Sequence, residues 1–128
     1  MKFESEKLDG QAVIYGYDDQ GVVINGQKYA QSVLFGVDLP PEAWPDARPG
    51  KLSLDNAQTL LDRSPDETEV VLIGTGENQQ FPSKDVRRFF VQNKVPVEFM
   101  DSQAACRTYN ILIGEGRKVV AGLLQEPA

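Results

Sequence analysis

The apolar segment over residues 70–76, which reads Val-Val-Leu-Ile-Gly-Thr-Gly, most constrains the fold of this 128-residue chain. A short run of β-branched residues that ends at glycine is typical of a buried strand followed by a tight loop. Because such a strand belongs in a sheet that is covered on both faces, the segment favours an α/β fold. Ligands of open α/β sheets gather beyond the carboxyl ends of the strands, so residues 74–76 are the first candidate site.

The first third of the chain has the pattern of a β-meander. The predicted strands cover residues 13–17, 22–24 and 27–35. The Asn25-Gly26 dipeptide between the last two is a strong signal for a two-residue hairpin. The meander would either extend the main sheet with antiparallel strands or pack beside it.

A proline-rich segment follows over residues 38–50, which contain four of the eight prolines together with Trp44. Proline removes a backbone donor and disfavours helix in the residue before it, so this segment is predicted to be an irregular connector. Two interpretations of Trp44 stay open. It would lie in an exposed interaction loop, or it would act as a plug over a sheet edge.

The remaining residues alternate between helical and strand periodicity. Helices are predicted over residues 54–63, 82–93 and 102–113, and strands over residues 69–73, 96–99 and 117–124. Ser53 is predicted to cap the first helix, Pro82 to open the second, and Asp101 or Ser102 to cap the third. The order β-β-β followed by α-β-α-β-α-β predicts one α/β domain over residues 1–128, with parallel strands joined by helical crossovers.

Composition excludes several chemistries. The net charge of −6 argues against nucleic acid, because phosphate binding needs a basic face. The chain has no histidine, which removes Ser-His-Asp and Cys-His catalysis and imidazole metal sites. The spacing of the acids gives no calcium loop and no assignable pair for acid–base catalysis. We therefore predict no catalytic residues, no metal and no cofactor.

Three features bear on location. No apolar stretch approaches the 18 residues that a membrane span needs, so no span is predicted. Residues 1–7 contain acids and lack the apolar centre of a signal peptide. A single cysteine, Cys106, excludes an internal disulfide and fits a reducing compartment. We expect the protein in the cytoplasm.

The glycine loop differs from the known phosphate-binding loops. Gly74 and Gly76 lack a third glycine, since position 79 is Gln79, and no Gly-Lys-Ser/Thr follows. The next predicted helix begins only at Pro82, too late to place its amino terminus at the loop. The loop would either let the backbone approach a ligand or partner closely, or simply be a sharp exit from a buried strand.

The third helix is predicted to have a broad apolar face and a narrow polar one. The apolar set is Ala104, Ala105, Thr108, Tyr109, Ile111 and Leu112. Arg107 and Asn110 share the polar face with Gln103, as contacts to a ligand or partner or as solvated side chains. Cys106 at the edge of the apolar face would be a reactive thiol or, more commonly, a small core residue.

Two further groups of charged residues have alternative interpretations. Glu115 and Arg117 flank Gly116 after the third helix, and either face the glycine loop or form a surface ion pair. Lys84, Arg87 and Arg88 lie together on the second helix, where they would meet an acidic partner or form a solvated face.

Taken together, the segments of the second half resemble the Mth-domain family of bacterial and archaeal proteins, which includes mitochondrial complex I assembly factor 3. The resemblance covers residues 12–124, and its most specific parts are Arg-Thr-Tyr-Asn at 107–110 and Glu-Gly-Arg at 115–117. It implies a three-layer α/β fold with a mixed sheet, no established enzyme activity, and assembly or regulatory roles. The positions that it implies as a shared binding surface are Gly74, Thr75, Gly76, Arg107, Asn110, Glu115 and Arg117.

Two functions remain open on the sequence. The first is a non-enzymatic accessory or assembly protein with a protein partner. The alternative is a protein or enzyme that binds an anionic small molecule between the 74–76 loop and the start of the third helix, with Arg107 holding the anion.

Overall fold

The computed structural model describes residues 11–126. Its strands are β1 (Ile14–Asp18), β2 (Gly21–Ile24), β3 (Gln27–Tyr29), β4 (Val33–Gly36), β5 (Leu39–Ala43), β6 (Val70–Gly74), β7 (Val97–Met100) and β8 (Val119–Leu123). Its helices are α1 (Leu54–Arg63), α2 (Lys84–Gln92) and α3 (Ser102–Gly114). The prediction for the amino-terminal segment 1–7 lies outside the described residues.

The main sheet has five strands in the order β5-β4-β8-β6-β7. Strand β6 runs parallel to β7 and β8, while β4 runs antiparallel to β5 and β8. The predicted α/β class with a mixed sheet is therefore confirmed. Strand β6 lies within the apolar segment over residues 70–76, and all five residues of the strand are buried.

Alternate residues of β6 point to opposite faces of this sheet. Val70 and Leu72 pack in a cluster with α3 and the small sheet formed by β1, β2 and β3. Val71 and Ile73 pack in a second cluster with α1 and α2. Helices thus cover both faces, which explains why the strand is apolar throughout.

The predicted strand over residues 27–35 is wrong as one element, because the chain changes sheets within it. Strand β3 pairs with β2, whereas β4 pairs with β5 and β8. Ser32 lies at the break, where its buried Oγ donates to the Ala47 carbonyl at 2.7 Å and accepts the Gln125 N–H at 2.8 Å. The hairpin itself is confirmed, since Asn25 and Gly26 have φ of 52° and 87°, as a two-residue turn with left-handed residues requires.

The predicted irregular connector over residues 38–50 is wrong at its start, where β5 forms an edge strand. Successive N–H positions of a strand point to opposite sides, so the free outer side of this edge strand accommodates one of Pro40 and Pro41, and the irregular pairing with β4 between Leu34 and Gly36 accommodates the other. Both interpretations of Trp44 are wrong, because it is neither in an exposed loop nor over a sheet edge but packs on the face of the sheet against the central strand β8. Its ring is buried against Gly122, and its Nε1 donates to the Asn56 carbonyl at 3.1 Å.

The helices begin at capping residues. Ser53 caps α1 and Asp101 caps α3, as predicted. The prediction that Pro82 opens the second helix is wrong, because the Ser83 hydroxyl accepts the Val86 N–H and starts α2 at Lys84. Within residues 11–126 no helix has the length and apolar character that crossing a membrane would require.

Candidate functional site

The two glycines after β6 stand against the first turn of α3. A side chain on Gly74 would come within 2.6 Å of Leu123 Cδ2 and 2.8 Å of Ser102 Oγ, so the close approach needs glycine. Ser102 is fully buried and joins the two segments. Its Oγ accepts the Gly76 N–H at 2.9 Å, and its own N–H donates to the Gly76 carbonyl at 2.8 Å. The loop is therefore fixed to α3.

Thr75 closes the loop from within. Its Oγ1 donates to the Asn78 carbonyl at 2.6 Å and accepts the Gln80 N–H at 3.1 Å. Its own N–H donates to the Met100 carbonyl at 2.8 Å, and Gly76 has a φ of +101° that favours glycine. The Thr75 hydroxyl and N–H are thus both used within the protein. This geometry favours the sharp strand exit over a ligand-binding loop.

The crevice directly beyond β6 is filled. Ile73, Phe81, Phe99 and Leu124 line a void of only about 10 Å³, which has room for no more than one water molecule. Phe81 stands 62% exposed over this point and packs edge-on against Phe99, with ring centroids 6.0 Å apart. The site that the sheet topology would suggest for a ligand is therefore occupied by side chains.

An open cleft of about 280 Å³ lies beside the loop, between the β1–β2 turn and the start of α3. The residues that line it are Tyr17, Asp18, Asp19, Gly76, Glu77, Asp101 and Gln103. Four of these are carboxylates. Burial raises the pKa of the Tyr17 hydroxyl, and the nearby Glu77 and Asp101 carboxylates act in the same direction.

The acidic cleft disfavours the anionic ligand that the sequence allowed. Negative side chains around an opening repel a phosphate or carboxylate, and Arg107 does not line this cleft. Although four carboxylates line the cleft, no three His, Cys, Asp or Glu side chains between residues 11 and 126 are grouped so that they could hold a metal ion. The predicted placement of an anion between the 74–76 loop and Arg107 is not supported by this geometry.

Asn110 attaches β1 to α3. Its Nδ2 donates to the Ile14 carbonyl at 2.7 Å, and its Oδ1 accepts the Ile14 N–H at 3.2 Å. One side-chain amide thus satisfies both backbone groups of a residue on the outer edge of β1, as a neighbouring strand would do. The sequence interpretation of Asn110 as a solvated or ligand-contacting residue is replaced by this structural role.

The neighbouring residues Tyr109 and Cys106 belong to the core. The Tyr109 hydroxyl donates to the Ala12 carbonyl at 2.6 Å, and its ring packs edge-on against Phe35. Burial raises the pKa of the Tyr109 hydroxyl and raises the pKa of the Cys106 thiol to about 12. A thiol this reluctant to ionise is a poor nucleophile, so Cys106 acts as a small core residue.

Arg107 lines a different opening, which we name the β1–α3 groove. It has a volume of about 270 Å³ and is lined by Ile14, Tyr15, Gly16, Tyr17, Gln103, Cys106, Arg107 and Asn110. Tyr15 is the extra residue of a β-bulge in β1, which turns its side chain outward to 68% exposure. Ile111, one helical turn after Arg107, is 60% exposed rather than buried as predicted.

Glu115 and Arg117 lie beyond the ends of the sheet strands that are opposite the glycine loop. Val70 pairs with Val119 at their end of β6 and β8, whereas Gly74 pairs with Leu123 at the loop end. Five-residue strands separate the two ends by about 13 Å. The interpretation in which both residues face the loop is therefore wrong.

Arg117 forms an exposed ion pair, but with Glu69 rather than with Glu115. Its Nε lies 3.5 Å from Glu69 Oε1, a contact worth at most about 1 kcal/mol. Glu115 is the residue that ends α3. The seven predicted surface residues thus fall in three places, and their shared functional role stays a prediction.

Sequence reasoning missed Tyr15 and the acidic rim of the cleft. The bulge at Tyr15 leaves no pattern in the residues, because it arises from the pairing of β1 with β2. Asp18 and Asp19 lie where β1 ends and the turn to β2 begins. Only the tertiary fold brings this turn next to Glu77 and Asp101.

The fold and the site define a mixed α/β domain with an open groove beside its last helix. The family model described as "Protein of unknown function (DUF498/DUF598)" matches residues 14–124, and the chain belongs to this family. The predicted resemblance to the Mth-domain family is confirmed. A Bordetella pertussis protein whose solution structure is described as a Mth938-like domain is 31% identical, with a TM-score of 0.75, and the match covers 91% of this chain and 87% of that one.

Two further comparisons agree with this assignment. A crystal structure of a Bordetella parapertussis protein is 33% identical with a TM-score of 0.81, and the match covers 91% of this chain and 98% of that one. The Xenopus tropicalis protein named NADH dehydrogenase [ubiquinone] 1 alpha subcomplex assembly factor 3 is 30% identical over 111 residues. That match covers 84% of this chain but only 58% of the relative's length.

Proposed function

We propose that this protein is a non-enzymatic accessory protein that binds a protein partner through the β1–α3 groove. The observation that carries the proposal is the groove itself, where the largely exposed Tyr15 lies with Arg107, while Ile111 is exposed one helical turn further along α3. Tyrosine and arginine are enriched at protein interfaces, and exposed apolar side chains that lie together mark such surfaces. The proposal includes a cytoplasmic location, for which the single cysteine is the supporting feature.

The chemistry of the groove suits a protein better than a small ligand. Tyr15 offers a rigid aromatic ring, and Arg107 offers a planar set of donors that fits a carboxylate or a backbone carbonyl. Gly16 leaves open space next to Tyr15, since no atom lies within 4 Å of where its Cβ would be. A partner side chain could therefore pack between the aromatic ring and α3.

The relatives named as assembly factors support a role in assembling other proteins. The match with the Danio rerio protein covers 91% of this chain at 30% identity, too much of the chain to leave out α3. The chain spans 66% of that protein and 58% of the Xenopus one. An assembly role for this chain, and any respiratory partner, is part of the proposal.

Photo-crosslinking tests the groove directly. A benzoylphenylalanine residue at Tyr15 is expected to crosslink a specific protein in cells of the source organism, to be identified by mass spectrometry. With the purified partner, Tyr15→Ala and Arg107→Ala should each weaken binding by about tenfold or more, because buried Tyr and Arg anchors carry most interface energy. The matched controls Leu54→Ala and Arg48→Ala change exposed residues elsewhere and should leave the affinity unchanged.

Two results would contradict the proposal. One is the absence of any crosslinked protein together with measurable turnover of a small molecule. The other is a partner whose affinity is insensitive to Tyr15→Ala and Arg107→Ala. The anionic-ligand alternative is not carried further, since side chains fill the crevice beyond β6 and carboxylates line the adjoining cleft.

A further inference from the structure

The outer face of α2 is a basic surface on an acidic protein. Lys84, Arg87, Arg88 and Val91 follow the spacing i, i+3, i+4 and i+7, which places them on one side of a helix, opposite the buried Val86 and Phe90. With Lys94, this segment holds four of the thirteen basic residues of a chain whose net charge is −6. We name Lys84, Arg87, Arg88, Val91 and Lys94 the α2 basic face.

The helix dipole does not account for the cations of this face that lie within α2. Lys84 begins α2, where the positive end of the helix dipole disfavours a positive side chain, while Arg87 and Arg88 lie at and beyond the end of the first turn, where this effect fades. The last turn of α2, where cations would stabilise the dipole, has none. The dipole therefore gives none of these three cations a stabilising role, and positive charge gathered on one face of an acidic chain suits an anionic group outside it.

Lys94 differs from these three, because a cation just beyond the carboxyl end of a helix is favoured by the dipole. It lies just after α2 with a φ of +57°, a position that glycine occupies most easily. Among residues 11–126 the face forms one ion pair, between Arg88 and Asp85 at 3.8 Å, with both side chains mostly exposed. Such a pair is weak and competes little with a partner.

Val91 defines what else the partner must offer. It is 76% exposed, the most exposed of the large apolar side chains in the described part of the chain, and it lies among the basic residues. An apolar centre with a charged rim is the usual arrangement of a protein interface. The helix is only nine residues long, about 13 Å, which is the length of a short protein segment.

We propose that the α2 basic face binds an acidic segment of a partner protein, with an apolar side chain against Val91 and carboxylates opposite the surrounding cations. A protein segment fits better than nucleic acid or an anionic bilayer. An extended polyanion would also approach the rest of the chain, which is strongly acidic and repels it. The surface is separate from the β1–α3 groove, because α2 and α3 cover opposite faces of the sheet.

A crosslinker at Val91 tests this surface in the full chain. Benzoylphenylalanine at this position is expected to capture a protein in cells, and mass spectrometry should map the crosslink to a segment rich in Asp and Glu. The triple charge reversal Lys84→Glu, Arg87→Glu and Arg88→Glu should abolish that crosslink. It should weaken binding of the purified segment by about tenfold or more, with a salt dependence that the reversed variant lacks.

The matched control places the same crosslinker at Ile111 on α3, where the triple reversal should change nothing. Circular dichroism would verify that the reversed variant folds, and milder Lys→Gln and Arg→Gln changes would replace it if it does not. The proposal is overturned if Val91 captures no protein, if it captures a segment without an acidic surplus, or if the crosslink survives the reversal. Binding to vesicles of phosphatidylcholine and phosphatidylserine, or to duplex DNA, with no protein captured would overturn it in favour of another polyanion.

Discussion

Replacing Asn110 with alanine should detach β1 from α3. The substitution removes the bonds of 2.7 Å and 3.2 Å to the two backbone groups of Ile14 and leaves those partly buried groups without their partner. Each hydrogen bond contributes about 0.5 to 1.5 kcal/mol, so the free energy of unfolding should fall by about 1 to 3 kcal/mol. In a domain of this size, that loss lowers Tm by at least about 3 °C.

Two measurements separate this effect from general destabilisation. Urea unfolding gives the free-energy loss, and hydrogen exchange should show faster exchange of the Ile14 amide than of the amides in the central strand β6. Asn93→Ala is the matched control. It removes one exposed side-chain bond, to the Phe89 carbonyl, and should change stability by no more than about 0.5 kcal/mol.

The expected result depends on the Asn110 side-chain amide bonding to the backbone of Ile14 as a neighbouring strand would. An Asn110→Ala protein with wild-type stability and an equally protected Ile14 amide would refute that reasoning. Because Tyr15 follows Ile14 in the same bulged strand, detaching β1 should also disturb the proposed groove. Asn110→Ala is therefore expected to reduce the Tyr15 crosslink while leaving the Val91 crosslink intact.

Two further predictions concern the core. Gly122→Ala should lower the free energy of unfolding by about 1 to 3 kcal/mol and shift the fluorescence of the single tryptophan, because the added Cβ would overlap the Trp44 ring. The control Gly114→Ala has open space around the added Cβ and should be neutral or slightly stabilising. Equal effects of the two substitutions would contradict the packing of Trp44 against Gly122. Cys106 should be inert to a thiol reagent until the protein unfolds. Burial raises the pKa of Cys106 to about 12, so the unfolded chain releases the thiol proton first, and the contribution of Cys106 to the free energy of unfolding should be constant below about pH 8 and fall between about pH 9 and 12. Urea unfolding should show a smaller fall in Cys106→Ala, and an unchanged slope would count against a buried thiol.

Local features of the sequence were enough to predict most elements of the fold. Three kinds of feature influence only the backbone within a few residues. They are the continuous apolar run of β6, the Asn25-Gly26 turn, and the capping residues Ser53 and Asp101. Their physical causes are burial on two faces, left-handed backbone and orphan helix donors. Such causes leave a readable pattern, so the α/β class followed from the residues alone.

Errors arose where the pairing of distant segments decides the structure. The chain changes sheets near Ser32, and Pro40 and Pro41 lie on an edge strand. Both facts depend on the order in which the strands are arranged in the sheets. Neither fact has a local signal. Proline predicts an irregular segment, because the local sequence does not show whether a strand lies at the edge of a sheet.

The site depended even more on tertiary structure. The sequence by itself determined that Arg107 and Asn110 occupy one side of a helix and that glycine ends β6. Only the fold decided that Asn110 bonds to Ile14, 96 positions away, and that Gly74 lacks a side chain to admit Ser102. The physical reason is that helical and strand periods fix which residues share a face, while packing between distant segments fixes what that face meets.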